Sequence, residues 1–152
     1  MHTKLGATPT ATPVPPTATP VPPTATAKTV LHLGATLDKY LTALPAGFGG
    51  IAPAALNDHI AAAKPFIVDV REASEGQTSG VIEGSVNIPI RTLVSSLGKL
   101  PTDKSGAIVT YCAVGHRGAI GMMTLQMLGY TNVKNLVGGF TAWTAANFPV
   151  KK

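Results

Sequence analysis

From Thr36 onward the apolar positions of the chain fall into two rhythms. Leu37, Tyr40, Leu41 and Leu44 are spaced i, i+3, i+4, i+7, the stripe of one helical face, and Thr36 stands before them as a helix cap. The spacing predicts a short helix from Thr36, broken by Pro45-Ala-Gly-Phe-Gly-Gly50. Pro53 suits the first turn of a second helix that runs through Leu56 and Ile60 to Ala63. Beyond it, four runs are apolar without strict alternation: Phe66–Val70, Val86–Ile90, Ala107–Tyr111 and Val133–Val137. Helices fit Thr92–Leu97, Gly118–Leu128 and Phe140–Ala146, and Ile51 opens one more short strand. Continuous apolar strands separated by helices are buried on both faces. The predicted class is α/β, a mainly parallel central sheet with helices on both faces.

The start of the chain has neither rhythm. From Thr8 to Thr26 it is almost wholly Thr, Ala, Pro and Val, and Thr-Ala-Thr-Pro-Val-Pro-Pro occurs at Thr10–Pro16 and again at Thr17–Pro23. Closely spaced prolines fix φ and remove backbone donors, so such a stretch favours extended polyproline II and buries no core. Residues 1–29 are therefore expected to be a linker or stalk, and residues 30–152 the folded domain. Stalks of this composition suit a domain held away from a bacterial envelope, with hydroxyls open to glycosylation, so an extracytoplasmic location is expected. Met1-His2-Thr3-Lys4 carries neither the apolar run of a leader nor a lipidation cysteine, which leaves a cytosolic linker to another domain as the alternative.

Composition narrows the function classes. Hydrophobic residues make up 45% and charged residues 12%, which favours a packed globule over a solvated chain. No run reaches the roughly 18 apolar residues of a membrane span. The net charge is +5, but Lys4, Lys28, Lys151 and Lys152 lie at the ends and the remaining cations mix with the seven acids. Without a basic run or interleaved aromatics, no nucleic-acid partner is expected, and a mild preference for small anions is. The four His and one Cys lack metal-ligand spacing, so neither metal nor cofactor is expected.

A single cysteine forms no internal disulfide, and its thiol is either packed or chemically employed. Cys112 follows the strand Ala-Ile-Val-Thr-Tyr111 directly, at the carboxyl edge where ligands of such sheets collect. It opens the loop Cys112-Ala-Val-Gly-His-Arg117, and a helix is expected from Gly118. Backbone N–H groups turned inward by such a loop make an anion nest that the helix dipole reinforces, and the same field favours a thiolate. The candidate catalytic residue is Cys112, with Ala113, Val114, Gly115, His116, Arg117 and Gly118 as the anion-binding loop. Asp69 and Arg71 end a strand at the same edge, as further substrate contacts or as a pair that holds loops together.

The order strand, Cys, six-residue loop closing on Arg, then helix resembles the rhodanese-like domain family. The resemblance covers about Val30 to Val150. It also rests on Val68-Asp-Val-Arg-Glu72, Gly80-Val-Ile-Glu-Gly-Ser-Val-Asn-Ile-Pro89, Gly129-Tyr130, Gly138-Gly139, Trp143 and Pro149-Val150. The family commonly shows His at the position of Val81, Pro at Glu83, Ala at Ser85 and Gly at Asn147, the last a mild change because Asn tolerates the left-handed conformation.

The resemblance implies ping-pong sulfur transfer. Cys112 would take the outer sulfur of thiosulfate or a related small sulfur anion, hold it as a persulfide, and yield it to cyanide or an acceptor thiol. A non-enzymatic polysulfide carrier or sensor, tethered through the linker to an envelope or another domain, is the alternative. A Cys-based phosphatase or arsenate reductase is a weaker rival, since its loop places five residues between Cys and Arg and this chain places four. Trp143 and the group Met122, Met123 and Met127 are expected in the core.

Overall fold

A computed structural model describes residues 27–152, with side chains from residue 32. The predicted linker, apart from its last three residues, lies outside the described residues. Leu37–Lys152 forms one unit and holds every strand of the described residues. Helix α1 (Ala27–Thr42) starts nine residues before the predicted cap. No proline interrupts Ala27–Thr42, so the helix continues through Thr36, whose hydroxyl donates to the His32 carbonyl at 3.0 Å instead of capping a terminus.

The sheet is parallel throughout, with strand order β1-β6-β5-β2-β4: β1 (Gly50–Ile51), β2 (Phe66–Asp69), β4 (Val86–Asn87), β5 (Ile108–Tyr111) and β6 (Val133–Leu136). Helix α2 (Pro53–Ala63) matches its predicted span. The run Val86–Ile90 is strand only over its first two residues. Pro89 has no N–H to continue a ladder, and the chain turns into a 3-10 turn at Ile90–Thr92. The helix predicted at Thr92–Leu97 is a second 3-10 segment, Val94–Lys99, kinked at Ser96. Ser and Gly supply little helix propensity there.

Alternation along the central strands creates two cores. Val68 and Ile108 point to one, where Met122 and Leu125 of α4 (His116–Met127) join Leu93 and Val133. Ile67, Val109 and Tyr111 point to the other, with Leu56 of α2 and Phe140 and Trp143 of α5 (Gly139–Ala145). Trp143 is core, as expected, and donates to the Pro149 carbonyl at 2.8 Å. Of the methionine group only Met122 is buried, and Met127 is exposed.

Three elements were not foreseen: α3 (Ala73–Ser79) and the antiparallel ribbon of β3 (Val81–Ile82) with β7 (Val150–Lys151). Ile82 of β3 donates its N–H to the Tyr111 hydroxyl of β5 at 3.2 Å.

Candidate functional site

Because β2 and β5 run parallel in register, with Asp69 beside Tyr111, the chain after each strand emerges at the same edge. Cys112 is the first residue past β5 and is buried. The Gly115 N–H donates to its Sγ at 3.1 Å. Gly115, at φ +102°, turns the chain sharply, so α4 begins at His116 and not at the predicted Gly118. This places His116 and Arg117 in the first helical turn, whose N–H groups have no intrahelical acceptor. Sγ therefore lies where the helix field is positive.

A second helix start fixes the orientation of the loop. The Phe140 N–H donates to the Cys112 carbonyl at 2.7 Å and the Thr141 N–H to the Ala113 carbonyl at 2.9 Å. With these carbonyls drawn to α5, the amide at Gly115 is left to the sulfur. Gly139, at φ +59°, permits the approach, since any Cβ there would fall onto the carbonyl oxygens of Cys112 and Ala113. Gly118 serves close packing as well as the loop: it is buried, a Cβ would meet the Asn135 Oδ1, and its carbonyl accepts from Thr110. Val114 and His116 are exposed at the mouth.

Arg117 makes a paired contact that the sequence did not suggest. Its two terminal nitrogens donate to the Glu75 carboxylate of α3 at 2.6 and 2.8 Å. The bond from Arg117 is the chief cause that holds the Glu75 carboxyl down at about 2, with the Glu72 N–H, 3.0 Å from Glu75 Oε2, assisting against partial burial. In return Arg117 is raised, first by the hydrogen bond it donates to Glu75 and, after burial opposes it, by the charge of Glu75 and the sulfur of Cys112. Arg117 thus joins the first turn of α4 to an acid on α3.

Asp69 and Arg71 form a buried pair, with Nη2 and Oδ2 2.6 Å apart. Arg71 also donates to the Ser79 hydroxyl and the Gly80 carbonyl, both at 2.8 Å, and its guanidinium lies 4.3 Å from the Phe140 ring centroid. Asp69 accepts from the Tyr111 hydroxyl at 2.9 Å, and burial pushes Tyr111 up to about 12. These bonds tie β2 to α3, β5 and α5. The pair thus joins these segments, and Arg71 also lines the cleft beside the loop.

Arg71 edges a cleft of about 430 Å³ beside the loop, lined also by Ser74, Glu75, Thr78, Ala113 and Thr141. A larger hollow of about 640 Å³, near Lys64, Ile82 and Trp143, includes no loop residue. Of the two, the smaller borders the Cys112 loop, at Ala113.

The model of the rhodanese-like domain matches residues 52–146, a span that includes one core entire, the other apart from Ile51, α3 and the Cys112 loop. The chain belongs to the rhodanese-like domain family. Over 100 residues it is 28% identical to the human thiosulfate:glutathione sulfurtransferase, a match that covers 58% of this chain and 86% of that protein. It is 32% identical over 89 residues to the adenylyltransferase and sulfurtransferase uba4 of Ogataea parapolymorpha. That match covers 57% of this chain but spans only 22% of uba4. A crystal structure of a rhodanese-related protein from Thermoplasma volcanium superposes with a TM-score of 0.59 at 33% identity, over 66% of this chain and 95% of the other. The family supports sulfurtransferase activity for the rhodanese-like domain seen here. Glu75, which pairs with Arg117, is the site residue that sequence reasoning missed. Its sequence signal was the spacing Glu72-x-x-Glu75, an acid at the third position of a helix behind a polar cap.

Proposed function

We propose that this rhodanese-like domain transfers sulfane sulfur through a persulfide on Cys112. The observation that carries the reading is the Gly115 N–H on Cys112 Sγ at the start of α4, in a loop whose carbonyls are drawn away. That arrangement stabilises negative charge on sulfur before and after loading. The Cys112 thiolate attacks the outer sulfur of the donor, a new S–S bond forms, and the old one breaks with its electron pair. With thiosulfate, sulfite departs and the enzyme keeps Cys–S–S⁻. Cyanide or an acceptor thiolate then attacks the outer sulfur of the persulfide, and the Cys112 thiolate is the leaving group. Arg117 faces the donor anion at the rim.

The proposed setting follows the sequence: a domain on a Thr/Pro/Ala-rich stretch, supported by composition alone, outside the cytoplasm.

Intact mass after thiosulfate treatment tests the reading. The parent gains one sulfur and Cys112→Ser gains none, because the chain has no second thiol. Catalytic turnover to thiocyanate in excess cyanide distinguishes an enzyme from a stoichiometric carrier. A parent that never gains sulfur, or a Ser variant that keeps turnover, would sink the proposal.

A further inference from the structure

We infer that Glu75 is a specificity-determining residue, which sets the site against doubly charged sulfur donors and in favour of singly charged ones. The inference rests on the sulfurtransferase reading above. The Glu75 carboxylate takes one N–H from each terminal nitrogen of Arg117, at 2.6 and 2.8 Å, on the side where the guanidinium presents its paired donors. It does not swing freely, because the Glu72 N–H holds the Oε2 atom from the other side at 3.0 Å. A donor that reaches Arg117 therefore meets a fixed negative charge and shares the guanidinium with it.

The cleft beside the loop has the same character. Arg71 and Glu75 are the charged residues among those that line it, and Arg71 is already committed to Asp69, Ser79 and the Gly80 carbonyl. What remains to a ligand is a rim with the hydroxyls of Ser74 and Thr141 beside one carboxylate, since Thr78 gives its proton to the Ser74 carbonyl. Hydroxyls satisfy a sulfonyl oxygen or a neutral polar group, whereas a dianion asks for a free cation. The class of donor that fits is one with a single negative charge, such as a thiosulfonate or an organic persulfide.

Thiosulfate and methanethiosulfonate separate charge from size. Both present an outer sulfur on a sulfonyl centre, and a methyl group in the second replaces one charged oxygen of the first. Attack by Cys112 releases sulfite from one and methanesulfinate from the other, with the same S–S bond formed and the same bond broken. In a ping-pong scheme, kcat/KM for the donor reports the first half-reaction alone.

The test compares kcat/KM for both donors in the parent and in Glu75→Gln. Gln keeps the capping contact to Glu72, which Gln makes as well as Glu, so helix α3 stays in place. Expected is a rise of about fivefold in the ratio of thiosulfate to methanethiosulfonate, a modest figure because both partners are one-third exposed and solvent screens them. Glu75→Ala, which removes the charge without an isostere, gives the same direction. A ratio that is unchanged or falls in both variants overturns the inference and leaves Glu75 as a residue that only positions Arg117. Should neither donor load the parent, the sulfurtransferase reading fails, and the assignment of Glu75 falls with it.

Discussion

The charged side chains of the site divide by burial, and the division sets what each is worth. Glu75 and Arg117 are each one-third exposed, so their ion pair is screened, yet the carboxyl is held at about 2 against an ordinary 4.5. A carboxyl depressed in the folded state adds stability that is present above its unfolded value and is lost as pH falls through the folded one. The contribution of this pair is therefore complete above about 4.5 and fades between about 4.5 and about 2. Carboxyl-detected NMR titration checks it: Arg117→Ala should return the Glu75 midpoint most of the way to 4.5, and a midpoint unmoved by that change would refute the attribution. Asp69 and Arg71 lie at the other extreme. Both are at most 1% exposed, so Arg71→Ala strands a carboxylate in the core. We expect a loss of about 3–5 kcal/mol in urea unfolding, the scale for breaking a buried pair from one side. A loss below about 1 kcal/mol would mean that Asp69 finds another partner or a proton.

At the scale of elements, two helix starts meet at the Cys112 loop, and they act on opposite ends of its peptide units. At the cap of α4 the Gly115 N–H donates to the sulfur, while α5 draws the carbonyls of Cys112 and Ala113 away through the backbone of Phe140 and Thr141. Gly139 makes this approach possible, so Gly139→Ala should cost about 1–3 kcal/mol through its positive φ and its collision with the two carbonyls. Cys112 should also be alkylated at a different rate as the loop shifts. Thr141→Ala, which keeps the amide, should stay within about 0.5 kcal/mol; equal losses in the two variants would show that side-chain contacts, not the backbone, hold the loop. This arrangement was half legible in the sequence. Cys112 and Arg117 were readable because strand, loop and helix follow in chain order, and Asn147 was readable as left-handed, at φ +56°. Helix α3 was not, because Ala73–Ser79 has no buried residue and so no apolar period to betray it. Its Glu75 meets Arg117 across 42 positions, a contact that only the folded sheet edge creates. The 3-10 segments after Pro89 and the two-residue strands β3 and β7 were too short for any periodicity to mark.

At the scale of the whole molecule, both cores, the five-stranded sheet and the entire Cys112 site lie within Leu37–Lys152. The link between α1 and this unit that can be named is local: the Tyr40 hydroxyl donates to the Gln126 Oε1 at 2.6 Å, and Tyr40 is itself on the retained side of Thr36. Among the described residues, none before Leu37 belongs to the Cys112 loop or lines the cleft beside it. Removal of residues 1–36 should therefore leave the unfolding midpoint within about 4 °C of the full chain, which for a domain of this size corresponds to roughly 1 kcal/mol or less. The rate and extent of sulfur loading from thiosulfate, followed by intact mass, should be unchanged. Residual helix from Leu37 to Thr42 is too short to persist by itself, so its survival, read from amide exchange at Tyr40, would report on the Gln126 contact. A midpoint lowered by ten degrees, or loading slowed severalfold, would place the folding boundary before Leu37 and make the first half of α1 part of the domain.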